Sequence, residues 1–219
     1  MDLKTRDVGA TEAFFATVLG WRFAPDPDSW RKATVIEVGG HRIGGLSDLA
    51  SPIYPPDLPA HTAYYLAVED VDHHTDAAVR AGAQPVLEPF DVATEGRMAT
   101  LLDPFGAAVS LWQAREFVGW THPVGVPGAP HRMVHTCADP VEARAFYTHL
   151  GMRVEAADFV ETSDAPGWEA SLVVAELEGI GARIAAHGAG SWAWSEDESR
   201  LRISSPDGLN FPIERIGPA

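Results

Sequence analysis

Cysteine is almost absent from the sequence, which has a single one at position 137. A lone cysteine cannot form an internal disulfide bond, and a zinc site built on paired thiolates is excluded as well. Positive charge is also scarce, since 16 lysines and arginines stand against 31 aspartates and glutamates, for a formal net charge of -15. Proteins that bind the phosphate backbone need a basic surface, so nucleic acid is not an expected partner.

Long apolar runs are missing too. The chain has no run of about 18 apolar residues, which is the length that a membrane-spanning helix needs. Its first residues, MDLKTRD, are charged and are not followed by the apolar core of a secretion signal. We therefore expect a soluble, cytoplasmic protein without a membrane partner, and 46% hydrophobic residues suffice for one sizeable core or two smaller ones.

What the sequence does contain is an internal repeat. The segment DVGATEAFFATVLGWRF begins at Asp7, and its counterpart DPVEARAFYTHLGMRV begins at Asp139. A second shared signature follows each copy, as LLDPFGAAVSLW at 101–112 and as ISSPDGLNFPIE at 203–214. In both copies Asp precedes a helical pattern with an aromatic pair, and Leu-Gly ends it. The sequence therefore predicts two related units.

The second unit is shorter than the first. Asp139 lies 132 residues after Asp7, whereas Pro206 lies only 102 residues after Pro104. The deficit of about 30 residues is roughly one strand with a crossover helix and its loops. We expect a strand at 182–186 and no helix after it, because the segment SWAWSEDES at 191–199 is too short and lacks the helical pattern.

The order of the patterns predicts an α+β fold made of tandem βαβββ modules. Strand, helix and three strands occur twice by residue 113, and a segment rich in proline and glycine follows. The predicted domains are residues 1–113 as a complete unit of two modules, 114–130 as a linker, and 131–219 as a shortened unit.

These elements resemble the vicinal oxygen chelate superfamily, which includes glyoxalases, extradiol dioxygenases and bleomycin-resistance proteins. The resemblance is carried by VEDVDHHTDAAVRAGA at 68–83 and by GRMATLLDPFGAAVSLWQ at 96–113, and it is strongest to tandem glyoxalase-like proteins of actinobacteria. It implies that the strands of two modules curl into a cup, with helices outside. It also implies that metal enzymes of the family carry His, Gln or Glu ligands on four strands facing that cup.

The places that match those metal ligands hold other residues in this chain. One place precedes Met1, and the others fall near Gly44, on Tyr64 and on Ser110. Glycine, tyrosine and serine do not make an ordinary site for a divalent metal. We therefore expect no metal and no other cofactor.

Alternation along the strands predicts which side chains line the first cup. Those chosen on the first, fifth and last strands are Asp2, Lys4, Thr62, Tyr64, Leu66, Ala108, Ser110 and Trp112. Such a lining suits an aromatic or polycyclic ligand. An equally weighted alternative is that Leu66 and Trp112 fill a closed core and bind no ligand. His61 is predicted to face the other side of its strand, near the mouth of the cup. Arg97 begins a strand, where its side chain is either solvated or orients an acidic group of a ligand.

Three functions remain open. The first is a metal-independent enzyme of isomerase, cyclase or lyase type, acting on an aromatic or natural-product-like small molecule. Tyr64 is then the acid, and Lys4, Asp2 or His61 supplies the base or orients the substrate, while the ligand-binding residues are Ser110, Trp112, Leu66, Thr62 and Arg97. The second is non-catalytic sequestration of a toxic compound, and the third is a metal-dependent dioxygenase or hydroxylase. The formation of a homodimer is also left open by the sequence.

Overall fold

A computed structural model describes residues 1–26, 34–195 and 200–216, which form an α+β fold. The elements of the first repeat are β1 (Asp2–Thr5), α1 (Val8–Leu19), β2 (Arg22–Pro25), β3 (Thr34–Val38), β4 (His41–Asp48), β5 (His61–Ala63), β6 (Tyr65–Ala67), α2 (Val71–Arg80), β7 (Gln84–Val92), β8 (Gly96–Leu102) and β9 (Ala108–Ala114). Those of the second are β10 (Pro130–Cys137), α3 (Pro140–His149), β11 (Asp158–Glu161), β12 (Gly167–Val174), α4 (Glu178–His187), β13 (Ser191–Trp194), β14 (Arg200–Ser204) and β15 (Asn210–Arg215).

Aspartates begin the first three helices, as the repeated motif predicts. The side chain of Asp7 accepts a hydrogen bond from the N–H of Ala10 at 2.9 Å, and Asp139 accepts one from Glu142 at 3.0 Å. Such caps satisfy N–H groups that have no partner inside the helix. At the other end of α1, Gly20 adopts a left-handed conformation with φ 71°, which glycine reaches without steric cost.

The chain forms two compact units, and each unit takes residues from both repeats. The first contains Met1–Ala63, Trp120–His131 and Ala170–Ala219, and the second contains Tyr64–Gly119 and Arg132–Glu169. The bounds of the compact units therefore differ from the predicted domains 1–113, 114–130 and 131–219. Those domains describe the sequence repeat and stay a prediction.

The first unit contains a five-stranded sheet in the order β2-β3-β4-β1-β5. In the same unit the later part of β12 pairs in parallel with β15, and β14 and β13 follow. Helices α1 and α4 pack together, with Arg183 donating from Nε to the carbonyl of Val18 at 2.8 Å. The ring of Phe15 stacks on Trp21 at 4.8 Å between centroids, and both are buried in this core.

The second unit contains a four-stranded sheet in the order β6-β9-β8-β7, with α2 packed against β7, β8 and β9. Its other strands are β10, which pairs in parallel with β11, and the beginning of β12. Helix α3 packs against β11. Among the described residues no helix is long and apolar enough to cross a membrane.

The strand predicted at 182–186 is wrong, because these residues belong to helix α4. Ile180 and Ile184 are one helical turn apart and both are buried, and Gly188 ends the helix in a left-handed conformation. The short apolar run IGARIAA fits a buried strand as well as a helix, and packing against α1 favours the helix. The second sequence repeat therefore contains a crossover helix, which was predicted to be missing.

The shortening lies earlier in the second repeat. In the first repeat, β2 and β3 stand between α1 and β4, the strand parallel to β1. In the second, β11 is the strand parallel to β10, and residues 150–157, all of which the structure describes, contain no strand. The counterpart of the β2–β3 hairpin is what the second repeat lacks.

Candidate functional site

Polar side chains share one face of the five-stranded sheet in the first unit. In the ladders around β1, Asp2 is paired with Gly45 and Ala63, and Lys4 is paired with Ser47 and His61. Residues paired directly across a ladder point to the same side of a sheet. We call this set the polar face, and its members are Asp2, Lys4, Ser47 and His61.

Asp2 and Lys4 form a buried ion pair in the polar face. Lys4 Nζ lies 2.7 Å from Asp2 Oδ2, and the two side chains are only 9% and 11% exposed. Ser47 Oγ lies 3.0 Å from both carboxylate oxygens of Asp2. These hydrogen bonds offset part of the cost of removing the two charges from water, so the pair is fixed in place.

Tyr54 covers Lys4. It belongs to the connector, which we define as residues 49–60 between β4 and β5. Lys4 Nζ lies 3.3 Å from the Tyr54 hydroxyl and 4.9 Å from the centre of its ring. The ammonium therefore has the phenol of Tyr54 as well as the carboxylate of Asp2 beside it.

The connector also fixes the tautomer of His61, which is half-buried. His61 Nδ1 lies 2.8 Å from the carbonyl oxygen of Pro59. A carbonyl only accepts hydrogen bonds, so Nδ1 is the protonated nitrogen. In the neutral ring Nε2 is then the basic nitrogen, and it belongs to a residue paired with Lys4. The polar face thus combines a candidate general base with a fixed cation.

Aromatic and apolar side chains share one face of the four-stranded sheet in the second unit. Ladder pairs place Tyr65 with Ser110, Ser110 with Thr100, Trp112 with Met98, and Met98 with Phe90. The opposite face carries Leu101 and Leu111, which are buried. We call the first side the aromatic face, and its members are Tyr65, Phe90, Met98, Thr100, Ser110 and Trp112.

Trp112 is the best-fixed ring of the aromatic face. Its Nε1 donates to the carbonyl of Phe117 at 3.0 Å, and its ring meets that of Tyr65 edge to face at 6.3 Å. A Cβ atom on Gly96 would lie 2.5 Å from the Trp112 ring, so only glycine fits beneath it. Phe90 on the same face is 41% exposed, which leaves an apolar surface for a flat ligand.

Two residues predicted to line the cup lie on the other side of their strands. Thr62 is paired with Leu3 and Leu66 is paired with Leu111, and both leucines are fully buried. The alternation predicted for this segment is therefore one residue out of register, and Tyr65 shares the face of Ser110. The adjacent tyrosines at 64 and 65 were the signal that either ring could take this place.

Tyr64 itself interrupts the strand pattern between β5 and β6. Its side chain is only 6% exposed, and its carbonyl accepts a hydrogen bond from the N–H of Ser110 at 2.9 Å. Its predicted role as an acid stays a prediction. Sequence reasoning missed Tyr65, and in the polar face it missed Ser47 and the neighbouring Tyr54.

Arg97 does not lie on the aromatic face. Its guanidinium makes two hydrogen bonds to Asp72 at the start of α2, at 2.7 and 2.8 Å, and one to Asp91 at 3.0 Å. The hydrogen bond from Arg97 lowers the pKa of the Asp72 carboxyl, and it has the same effect on the pKa of Asp91. Arg97 thus joins α2 to the sheet, and this position does not support the predicted role of orienting a ligand.

A further polar cluster in the second unit is enclosed in the core. Asp103 Oδ2 accepts hydrogen bonds from His135 Nε2 and from the Tyr147 hydroxyl, both at 2.7 Å, and Trp168 Nε1 donates to Tyr147 at 2.9 Å. Burial acts to raise the pKa of Asp103, but the bonds from His135 and Tyr147 outweigh it and the pKa is lowered. Burial, and then the Asp103 charge, raise the pKa of Tyr147 far above its usual range.

A family model described as the Glyoxalase/Bleomycin resistance protein/Dioxygenase superfamily matches residues 1–111. The chain belongs to this superfamily. CFP32 of Mycobacterium tuberculosis, named as a glyoxylase, is 33% identical over 123 residues, which are 55% of this chain and 47% of that protein. The anthracycline biosynthesis protein DauV of Streptomyces sp. strain C5 is 31% identical over 159 residues, which are 67% and 57% of the two chains. The chain thus matches about half the length of these superfamily relatives.

Solved structures of the superfamily show the same fold. Homoprotocatechuate 2,3-dioxygenase from Arthrobacter globiformis aligns with 99% of this chain and 78% of its own, with a TM-score of 0.63 and 15% identity. The Mn(II)-bound glyoxalase from Novosphingobium aromaticivorans aligns with 98% of this chain and 80% of its own, with a TM-score of 0.62 and 14% identity. At these identities the likeness concerns the fold alone.

The donor set of the two faces does not fit a divalent metal like the one that the Novosphingobium glyoxalase binds. The carboxylate of the polar face, Asp2, is already engaged by the Lys4 ammonium and by Ser47, and a second cation there would meet the lysine charge. The aromatic face offers the hydroxyl groups of Tyr65, Thr100 and Ser110 and the Met98 sulfur, which do not make an ordinary site for such a metal, and the Oγ atoms of Thr100 and Ser110 lie 2.9 Å apart. Within the described ranges no three His, Cys, Asp or Glu residues gather as metal ligands.

Proposed function

We propose that this superfamily member is a metal-independent enzyme that moves a proton on an aromatic, natural-product-like carbonyl compound, as an isomerase, cyclase or lyase does. The observation that carries the proposal is His61. Its Nδ1 is engaged by Pro59, and it is paired across the ladder with Lys4 on the polar face. An imidazole whose Nδ1 is engaged and whose Nε2 is left for a substrate, paired across the ladder with an ammonium, has the groups that enolisation requires.

In the proposed step, His61 Nε2 removes a proton from the carbon beside a substrate carbonyl. The C–H electron pair shifts to the carbonyl oxygen, which gives an imidazolium and an enolate. The ammonium of Lys4, which lies beneath Tyr54, stabilises the charge on that oxygen through its electrostatic field, and Asp2 with Ser47 keeps Lys4 in place. Return of the proton to a different carbon completes an isomerisation, with no atom or electron gained or lost.

The proposed substrate class rests on the name of a relative and on the net charge of the chain. The second unit, taken by itself, has a separate apolar surface, where Tyr65 and Trp112 present their rings edge to face and Phe90 adds exposed area for a flat fused-ring compound. DauV is named for anthracycline biosynthesis, which fits a polycyclic substrate. The net charge of -15 favours a neutral or cationic compound over an anionic one.

The test is hydrogen exchange in heavy water with a panel of polycyclic aromatic ketones, followed by mass spectrometry. The wild-type chain should introduce deuterium beside a carbonyl of at least one compound. His61→Gln should slow this exchange by about 100-fold or more, the scale of a lost general base. His131→Gln, which changes an exposed histidine of β10, is the matched control and should leave the rate unchanged.

Sequestration of a toxic compound is the second candidate, and the exposed apolar area at Phe90 favours it. A sequestering protein needs the aromatic face and none of the proton chemistry. Tight binding of a polycyclic compound, with neither exchange nor turnover in the wild type, would support sequestration over catalysis.

A further inference from the structure

Arg6, which follows β1 in the first unit, is joined to the connector by several hydrogen bonds. Its Nη1 donates to the carbonyl oxygen of Leu49 at 3.4 Å, and the two N–H groups of Nη2 are shared among the carbonyl oxygens of Pro55 at 3.4 Å, Leu58 at 3.2 Å and Pro56. Arginine presents five N–H donors in a planar fork and so serves several acceptors at once, which a lysine ammonium does less well.

The connector has little regular structure of its own to fix its position. Leu49 N–H donates to Thr5 O at 2.8 Å and ties the start of the connector to β1, whereas bonds further along close short turns, such as Tyr54 N–H to Ser51 O at 3.1 Å and Leu58 N–H to Pro55 O at 3.2 Å. Between β4 and β5 the structure, which describes every residue there, assigns no helix or strand. The place of such a segment depends on side chains that reach it, and Arg6 reaches both of its ends.

The connector in turn makes both contacts that prepare the polar face. Tyr54 covers the ammonium of Lys4, and the carbonyl of Pro59 binds His61 Nδ1. Arg6 touches neither Lys4 nor His61 through these bonds. Its influence on them runs through the backbone of the connector.

We propose that Arg6 is a positioning residue of the polar face, which holds the connector so that Tyr54 stays over Lys4 and Pro59 stays against His61. The inference rests on the proposed function, in which Lys4 and His61 are the groups that act on the substrate. Arg6 is thereby added to the residues of the candidate site, although it was not predicted from the sequence and does not need to contact a ligand.

Lysine reactivity tests the proposal without any substrate. The chain has two lysines, Lys4 and Lys32, so modification by an amine reagent can be followed at Lys4 by peptide mass spectrometry with Lys32 as the reference. In Arg6→Gln the connector should open more often, and the modification rate of Lys4 should rise by about tenfold, the scale of one or two lost hydrogen bonds. Arg42→Gln removes an exposed arginine of β4, 3.7 Å from Glu37, and should change the rate by less than about twofold.

A double substitution shows whether Arg6 acts through Tyr54. Tyr54→Ala should raise the Lys4 rate by itself, and adding Arg6→Gln should then change it little, because residues acting through one contact are not additive. Arg6→Lys, which keeps the charge and not the fork, should lie between wild type and Arg6→Gln and serves if Arg6→Gln folds poorly. An unchanged Lys4 rate in both Arg6 variants, or independent effects of Arg6 and Tyr54, would overturn the proposal.

The two proposals fail separately. If His61→Gln does not affect exchange, the proposed function is wrong even when the Lys4 rates behave as expected. If the Lys4 rates do not respond to Arg6, the positioning role is wrong whatever the exchange experiment gives.

Discussion

His135 donates a hydrogen bond from Nε2 to Asp103 Oδ2 over 2.7 Å, and both side chains are buried in the second unit. Because a carboxylate only accepts, Nε2 carries the proton, and Nδ1 has no hydrogen-bond partner. The aromatic rings of Phe159 and Trp168 lie at 5.2 and 4.9 Å from the imidazole.

The first unit has counterparts of this pair that cannot form such a hydrogen bond to each other. By the repeat alignment, Leu3 stands for His135 and Ser205 stands for Asp103. Ser205 Oγ accepts from Leu209 N–H at 2.9 Å, just as Asp103 Oδ1 accepts from Ala107 N–H at 2.8 Å. The turn therefore needs an acceptor at this position, but the fold does not need the histidine.

We predict that Asp103 makes the chain sensitive to acid. The folded-state pKa of Asp103 is lowered, so its stabilising contribution is present above the unfolded pKa of about 3.9 and is lost as pH falls through the folded value. Urea unfolding of the wild type between about pH 5 and pH 2 should show this loss. Asp103→Asn should be less stable at neutral pH and should show a weaker dependence on pH over that range.

We predict that replacing the pair is milder than breaking it. His135→Leu leaves Asp103 buried without one partner and should cost about 3 to 5 kcal/mol in the free energy of unfolding, the range for a broken buried pair. The double variant Asp103→Ser with His135→Leu installs the residues of the first unit, and its cost should be smaller than the sum of the two single costs. Additive costs would show that the pair is not coupled.

We predict that Gly96→Ala displaces the Trp112 ring. The added Cβ would lie 2.5 Å from that ring, so the variant should lose about 1 to 3 kcal/mol of stability, the usual cost of overpacking, and should show changed tryptophan fluorescence. Gly167→Ala is the control, because no atom lies within 4 Å of its added Cβ. Equal behaviour of the two variants would contradict the packing described for Trp112.

We predict that the two neighbouring tyrosines separate acid catalysis from recognition. If the Tyr64 phenol is the acid, Tyr64→Phe should lower turnover by about 100-fold with little loss of binding. Tyr65→Phe keeps the ring and should change the affinity for a polycyclic ligand by no more than about 1 to 2 kcal/mol, the cost of one hydrogen bond. Trp112→Ala should weaken that binding more than Tyr65→Phe does, because it removes a whole ring; calorimetry checks both.

Most of the fold could be predicted from the internal repeat of the sequence. The Asp caps, the Leu-Gly stops and the DPFG and SPDG turns are local signals, and they predicted the α+β fold of tandem modules. The segment at 178–187 was not decided locally, because its apolar run is compatible with either element and its packing against α1 is a long-range contact.

The candidate site was predicted only in part. Asp2 and Lys4 alternate on a regular strand, and they do share a face with Ser47. The register of β5 and β6 was missed by one residue throughout, because His61 pairs with Lys4 and Tyr65 pairs with Ser110, and the sequence of this segment does not distinguish one parity from the other. No local sequence pattern predicts the position of Tyr54, because its place over Lys4 depends on a connector without regular structure.

Dependence on metal is the most direct test of the central claim, that this superfamily member moves protons with its own side chains. The exchange rate of a responsive polycyclic ketone would be compared for wild-type protein dialysed against a strong chelator and for protein supplied with Mn²⁺, Fe²⁺ or Ni²⁺. The account predicts equal rates, and a rate at least about 100-fold lower for His61→Gln in every condition. Exchange that disappears after chelation and returns with one of these ions would contradict it.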